Sequence, residues 1–209
     1  MKGSVHSLAN FHFFMKKNLE IILEKLQIFK NPKLKWEQYP TPPALAAELA
    51  ITASLIDDGL FFDLGCGTGI LSIAFYLVGF EVVGVDIDEE ALKIARKNAK
   101  IVNARVDFIL CDIKFLKLRK RVNVVMNPPF GIKRRHADRV FLEKAFEIGE
   151  VIYSIHSISS QSFVEKMAEE NGFKVTHVWR YKMPLKKLYP FHEKQYKLIP
   201  VEIFRMERM

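Results

Sequence analysis

Phe61-Phe62-Asp63-Leu64-Gly65-Cys66-Gly67-Thr68-Gly69 is the stretch whose reading decides the fold. The first four residues read as a buried strand, and glycines at alternate positions after it let the backbone turn sharply and approach a ligand closely. A helical run begins near Ile70. Strand, glycine turn and helix in that order begin a parallel α/β unit, in which ligands bind beyond the carboxyl ends of strands. The dinucleotide fingerprint G-x-G-x-x-G requires glycine where Ile70 stands, and no Gly-Lys-Ser/Thr follows, so NAD, FAD and P-loop readings fall behind.

Outward from this stretch, compact apolar runs at Leu60 to Leu64, Val82 to Val85, Val106 to Leu110, Val122 to Met126 and Val151 to Ile155 predict buried strands. Segments of helical spacing lie between them, as over Glu89 to Val102. That alternation predicts a mostly parallel sheet covered on both faces. Phe173 to Lys182 and Gln195 to Met206 alternate apolar with polar residues and predict an antiparallel hairpin at the sheet edge, joined by a loop of about a dozen residues. Upstream, Phe14, Leu19, Ile22, Leu23, Leu26 and Phe29 share one face of a helix predicted over 11–29, which Asn31-Pro32 ends. An extended link from Leu34 to Pro40 follows. Thr41 reads as an N-cap with Pro42 at the first helical position, opening a helix to about Leu55. The expectation is one Rossmann-like α/β domain over 41–209, with a helical extension and cofactor-covering link over 1–40.

The chain has 209 residues, 49% apolar and 27% charged, which excludes disordered and fibrous classes. Thirty-two Lys and Arg against 24 Asp and Glu leave a formal charge of +8, which attracts polyanions. Cys66 and Cys111 are the only cysteines, no CxxC pattern offers a zinc site, and a reducing, cytoplasmic setting fits. No structural metal is expected. No apolar run approaches the roughly 20 residues that cross a bilayer, and Leu8 to Phe14 lacks the features of a signal core.

Three acids close three successive predicted strands: Asp63, Asp86 and Asp112. Asp86 is placed to accept from both hydroxyls of a ribose, and Asp112 to receive an adenine amino group while the Ile113 backbone satisfies a ring nitrogen. Asp88 reads as the N-cap of the helix that follows. Such a set suits a cationic nucleoside cofactor. Asp63-Leu-Gly-Cys-Gly-Thr-Gly69, Asp86 and Cys111-Asp112 resemble the first three motifs of the class I S-adenosylmethionine-dependent methyltransferases. The resemblance implies a seven-stranded sheet with an antiparallel last strand, and S-adenosyl-L-methionine as cofactor. It places the glycine loop, including Cys66 and Gly67, against the methionine part, Asp86 against the ribose and Asp112 against the adenine.

The fourth strand runs into Asn127-Pro128-Pro129-Phe130-Gly131. Two prolines remove two donors and fix two φ angles, leaving a stiff turn with free carbonyls. The Asn127 amide oxygen and the Pro128 carbonyl can each accept one hydrogen of an exocyclic amino group, with Phe130 stacked on its ring. Adenine's amino nitrogen is conjugated and poorly nucleophilic. A site that holds both hydrogens out of plane frees its lone pair, and that geometry is electrostatic preorganisation toward the transition state. Such transfer needs neither a metal nor a covalent intermediate.

The turn is similar to that of methyltransferases acting on adenine N6 or on glutamine amide nitrogen. With Glu37-Gln38-Tyr39-Pro40-Thr41, Leu71-Ser72-Ile73, Val85-Asp86-Ile87-Asp88, Tyr153-Ser154-Ile155-His156 and Val201-Glu202-Ile203, the chain resembles the methyltransferase-like protein five family over roughly 31–206. That family forms N6-methyladenosine in small-subunit ribosomal RNA. The resemblance implies that Gln38 and Thr41 fold over the cofactor, that Gly65, Thr68 and Ile70 line its methionine end, and that Asn127, Pro128, Pro129 and Phe130 hold the base. It also implies a partner, a small zinc-binding activator subunit. The strand Val106 to Leu110 is a candidate edge for pairing with another chain, or else a buried sheet member. Lys133, Arg134 and Arg135, just after the turn, are candidate RNA contacts, as are Lys186 and Lys187 among aromatic residues in the hairpin loop. Glutamine-N5 methylation of a protein, DNA adenine-N6 methylation and an RNA-binding module without catalysis remain as alternatives.

Overall fold

The computed structural model describes residues 14–130, 137–186 and 196–209. A first helix, α1 (14–23), leads to a 3-10 turn (Leu34–Trp36) and α2 (Pro43–Ser54). The alternation then runs β1 (Leu60–Leu64), α3 (Ile70–Leu77), β2 (Glu81–Asp86), α4 (Glu89–Ile101), β3 (Asp107–Leu110), β4 (Val122–Met126), α5 (Ala137–Ile148), β5 (Gly149–Ser157) and α6 (Gln161–Glu170). β6 (Phe173–Lys186) and β7 (Tyr196–Arg208) close the chain. Seven strands form one sheet in the order β3-β2-β1-β4-β5-β7-β6. β1 to β5 pair in parallel, and β7 lies antiparallel between β5 and β6. This is the sheet expected from the sequence, with both hairpin strands longer than their alternating segments. Strand order reverses between β1 and β4, the crevice where ligands of such sheets sit.

Side-chain alternation along β1 sorts the two layers. Phe61 faces a core shared with Leu19 and Leu23 of α1, Leu45 and Leu49 of α2 and Phe75 of α3. Phe62 and Leu64 face a second core with Leu142 and Phe146 of α5 and Val164 of α6. The N-terminal extension thus contributes Leu19, Leu23 and Leu26 to the first core.

Three local expectations are corrected. The first helix stops at 23 rather than at Asn31-Pro32, because the Gln27 backbone is taken by a side chain: its N–H donates to Asn98 Oδ1 at 2.8 Å, and its carbonyl accepts from Asn98 Nδ2 at 2.9 Å. Thr41 is not a cap; α2 begins at Pro43 without a side-chain cap, and the Thr41 hydroxyl is turned to Asn127. Of the two readings of β3, the sheet edge holds and the buried strand does not, with Ile109 41% and Leu110 54% exposed. Among the described residues, no helix is long and apolar enough to cross a membrane.

Away from the crevice, Arg205 of β7 grips Asp57, which precedes β1. Its Nε and Nη2 donate to the two carboxylate oxygens at 2.9 and 2.6 Å, and the Tyr153 hydroxyl donates to Oδ2 at 2.5 Å. Burial pushes the Asp57 carboxyl up, but the Arg205 and Tyr153 bonds outweigh it and hold it below its ordinary value. Both side chains of the ion pair are nearly inaccessible. Replacing Arg205 by Met leaves a buried, incompletely paired carboxylate, so urea unfolding of R205M is expected to show a loss of about 3–5 kcal/mol. D57N/R205M is expected to recover part of it.

Candidate functional site

A cavity of ≈ 390 Å³ opens at the carboxyl ends of the parallel strands, within the range of about 300–1,000 Å³ typical of ligand sites. Its floor is the glycine turn. Gly65 and Cys66 donate their N–H groups to the Val85 carbonyl at 2.8 and 3.0 Å, which sews the turn to β2. Gly65 (φ 72°) and Gly67 (φ 54°) are left-handed. Each also faces an aromatic ring: a Cβ on Gly65 would lie 2.8 Å from Phe141, and one on Gly67 2.9 Å from Phe29. A side chain at either position would therefore be strained and would collide.

The acids occupy distinct environments. Asp63 is buried and accepts from the Ser72 hydroxyl of α3 at 2.5 Å. Burial, with Asp86 nearby, pushes its carboxyl up to about 7. Asp86 accepts from the Gly67 N–H and the Asp88 N–H, one on each oxygen, both at 2.8 Å. Burial raises its value, and those backbone bonds oppose the rise. A carboxylate offers about four lone-pair sites, so acceptor capacity remains for a ligand. Asp112 lines the cavity and accepts from the Lys114 N–H at 3.0 Å through Oδ1 alone, so its second oxygen keeps acceptor capacity.

Asp88 is the N-cap of α4, as expected, and accepts from the Glu90 N–H at 3.1 Å. It also gathers the N-terminal segment: Lys33 Nζ donates to it at 2.6 Å and Gln38 Nε2 at 2.7 Å. Against the upward push of burial, these bonds hold its carboxyl below the ordinary value. Gln38 Oε1 in turn accepts from the Lys33 N–H at 2.7 Å. Lys35, Trp36, Gln38 and Thr41 consequently form one wall of the cavity. Lys33 and Lys35 carry their ammonium groups 4.9 and 4.1 Å from the Trp36 ring centre.

Asn127 stands at the end of β4. Its Nδ2 donates to Thr41 Oγ1 at 3.0 Å, while its Oδ1 is buried without a hydrogen-bond partner. A buried amide oxygen left unpaired costs on the order of 1–3 kcal/mol, so this acceptor is suited to an incoming donor. Asn127 and Pro129 line the cavity beside Gly65, Cys66, Gly67, Thr68, Ile70, Asp63, Asp86, Asp112 and Ile113. Pro128 and Phe130 do not line it; Pro128 is buried, and Phe130 is half-buried against the first core. Lys133, Arg134, Arg135 and Lys187 lie outside the described residues, as does the side chain of Lys186. Cys66 is buried, and burial pushes its thiol well up, which makes it a wall rather than a nucleophile.

Several residues of the site carry no signal in the sequence. Phe29 looked like one apolar position of a helix, yet it presses on the glycine turn. Phe141 and Val140 of α5 line the cavity although they belong to an ordinary amphipathic pattern. Asn98 sits inside a helix, where no motif singles it out.

A doubly wound sheet with this glycine turn, strand-end acids and an Asn-Pro-Pro exit beside one cavity is the framework of a class I methyltransferase. A methyltransferase domain family matches residues 57–173. An uncharacterised protein of Methanocaldococcus jannaschii is 42% identical, covering 93% of this chain and 94% of its own. The rRNA N(6)-adenosine-methyltransferase Mettl5 of Drosophila melanogaster is 36% identical, covering 91% and 95%. A crystal structure of a Pyrococcus horikoshii protein proposed to be an RNA methyltransferase superposes with a TM-score of 0.85 at 41% identity, covering 93% of this chain and 98% of that one. The chain belongs to the methyltransferase domain family and, within it, to the group that contains Mettl5.

The acid at the base of the cavity should be visible in the pH dependence of stability. Asp63's folded value, about 7, lies above the ordinary 3.8, so the folded protein holds this proton more tightly than the unfolded chain. Stability present below the ordinary carboxylate range is then lost as the pH rises through about 7. Urea unfolding of the ligand-free protein at pH 5 and pH 8 is expected to show that loss, and D63N is expected to flatten it.

Proposed function

We propose that this protein is an S-adenosyl-L-methionine-dependent methyltransferase that forms N6-methyladenosine in ribosomal RNA of the small subunit. The observation that carries this reading is the buried, unpartnered Oδ1 of Asn127 at the cavity wall, an acceptor held ready for an amino hydrogen. Likeness over nearly the whole chain to rRNA N(6)-adenosine-methyltransferases supports the substrate.

The residues present fit the cofactor. Three carboxyl groups beside one cavity suit a ligand bearing cationic sulfonium and ammonium groups. Asp86 has acceptor sites left for a ribose, and Asp112 has a free oxygen for the adenine edge. Gly65 and Gly67 keep the floor free of side chains, with Thr68 and Ile70 completing it. When bound, the cofactor supplies an electrophilic methyl group.

The chain then has three tasks. Asn127 Oδ1 accepts one amino hydrogen and the neighbouring Pro128 carbonyl, just beyond the cavity lining, the other once the base is seated, which draws the nitrogen lone pair out of conjugation. The stiff Pro128-Pro129 turn keeps those acceptors fixed, so little reorganisation accompanies attack. The wall formed by Trp36, Gln38 and Thr41 excludes water and fixes the approach, the proximity term expected to dominate such a transfer. Target access requires single-stranded RNA or an extruded base. The exposed Lys35 and Lys114 at the cavity rim, together with Lys133, Arg134, Arg135, Lys186 and Lys187, would supply cations for flanking phosphates. The reading includes a small zinc-binding activator subunit, for which the open edge of β3, with Ile109 and Leu110 exposed, is the candidate contact. Two free cysteines suit a cytoplasmic setting.

Incubation of the protein and its activator with labelled cofactor and ribosomal RNA is expected to yield labelled N6-methyladenosine. Label confined to protein, DNA or another base would overturn the assignment. N127A should lower kcat by about 10²-fold or more, with cofactor affinity by calorimetry nearly unchanged. D86A should instead weaken cofactor binding by about 10-fold or more. Cofactor affinity should also rise by about 10-fold between pH 6 and pH 8 as Asp63 ionises, a trend that D63N removes.

A further inference from the structure

Asn98, on α4, is fully buried and does not line the cavity, yet its side chain joins three parts of the site. Its Oδ1 accepts from the Gln27 N–H at 2.8 Å, and its Nδ2 donates to the Gln27 carbonyl at 2.9 Å. The same Nδ2 donates to the Thr68 carbonyl of the glycine turn at 2.8 Å. The amide thus treats the N-terminal segment as a neighbouring strand would, satisfying one donor and one acceptor of a single residue, while fixing the turn with its second hydrogen.

What lies on either side of these bonds connects them to the ligand. Two residues after Gln27, Phe29 lines the cavity and lies against Gly67 so closely that a Cβ there would displace its ring. Thr68, next to Gly67 in the turn, is buried and also lines the cavity. The segment's next anchor is separate: Lys33 and Gln38 hold Asp88.

We infer that Asn98 is a positioning residue for the cofactor, acting through two parts of the cavity wall, Phe29 and Thr68. It touches neither cofactor nor RNA. Only a carboxamide meets the requirement here, since aspartate lacks the two donors and would set a charge against two carbonyls. Loss of Asn98 frees both parts together, so the cofactor must order them on binding and affinity falls. Once the cofactor is bound, the walls are in place and Asn127 is undisturbed, so turnover at saturating cofactor persists.

The inference rests on the proposed seat of S-adenosylmethionine, and its test separates the two. Calorimetric titration of the full chain with S-adenosylhomocysteine is expected to show binding about tenfold weaker for N98A, and no better for N98D. With RNA substrate, the KM for cofactor should rise similarly while kcat stays within about twofold. A purely structural loss would instead lower kcat through a smaller folded fraction and leave KM unchanged. A spectroscopic readout is independent of activity: Trp36 and Trp179 are the only tryptophans, so in a W179F background Trp36 alone reports on the N-terminal segment. Its acrylamide quenching in the ligand-free protein should be greater in N98A than in the parent. Unchanged affinity in folded N98A, or a fall in kcat alone, would overturn the inference. Should N98A not fold, F29A tests the same wall with Asn98 in place, and parental affinity there overturns it equally. Absence of binding to the parent protein would overturn the cofactor seat itself.

Discussion

The hydrogen bond from the Gly67 N–H to Asp86 is the constraint on which the remaining site depends. It ties the turn after β1 to the end of β2, and the second Asp86 oxygen ties the chain onward to Asp88. Asp88 in turn caps α4 and receives Lys33 and Gln38. A single carboxylate therefore begins a chain of contacts that reaches the N-terminal segment, then Thr41, then Asn127. The cavity floor and Asn127 share one framework, although they come from residues far apart in sequence. Burial of Asp86 raises the free energy of its charge, and the two backbone donors offset part of that rise.

Much of this was legible because it is local. Glycines at alternate positions, an acid after each short apolar run and a Pro-Pro exit each announce a backbone requirement within a few residues. That the strands run mostly parallel followed from strand and helix alternation, whereas their order did not. Where the reading failed, two physical roles share one local signature. Thr41 before Pro42-Pro43 looks like a cap, and the same hydroxyl instead serves Asn127 from 86 positions away. The periodic apolar face over 11–29 suggests a continuous helix, but a buried amide on α4 offers the Gln27 backbone a better partner than another helical turn. Asn98 and Phe141 were illegible because nothing in a helix's own pattern reveals what its buried face touches. β3 has the composition of an inner strand while it occupies the edge.

The formal charge of +8 conceals an internal division. Acids concentrate inside the cavity, where Asp63 and Asp86 are both pushed toward their neutral forms by burial. Cations such as Lys35 and Lys114 remain at its exposed rim. The interior thus gains most from a positively charged ligand, while the outer surface gains most from a polyanion. Two ligands of opposite charge are accommodated because low dielectric strengthens the field within, whereas solvent and salt screen the rim.

The position of β7 has a consequence for how the protein is made. It is the latest of the seven strands to be synthesised, yet it inserts between β5 and β6, pairing with β6 along its length and with β5 over 201–207. It also supplies Arg205 to Asp57, which precedes the first strand. During translation, β6 has no sheet partner and Asp57 no guanidinium until β7 leaves the ribosome. The parallel strands can gather earlier, but the right half of the sheet closes only after this strand arrives. Premature termination before Val201 would therefore remove every residue of β7 that pairs with β5 and split the sheet at its interior rather than trim its border.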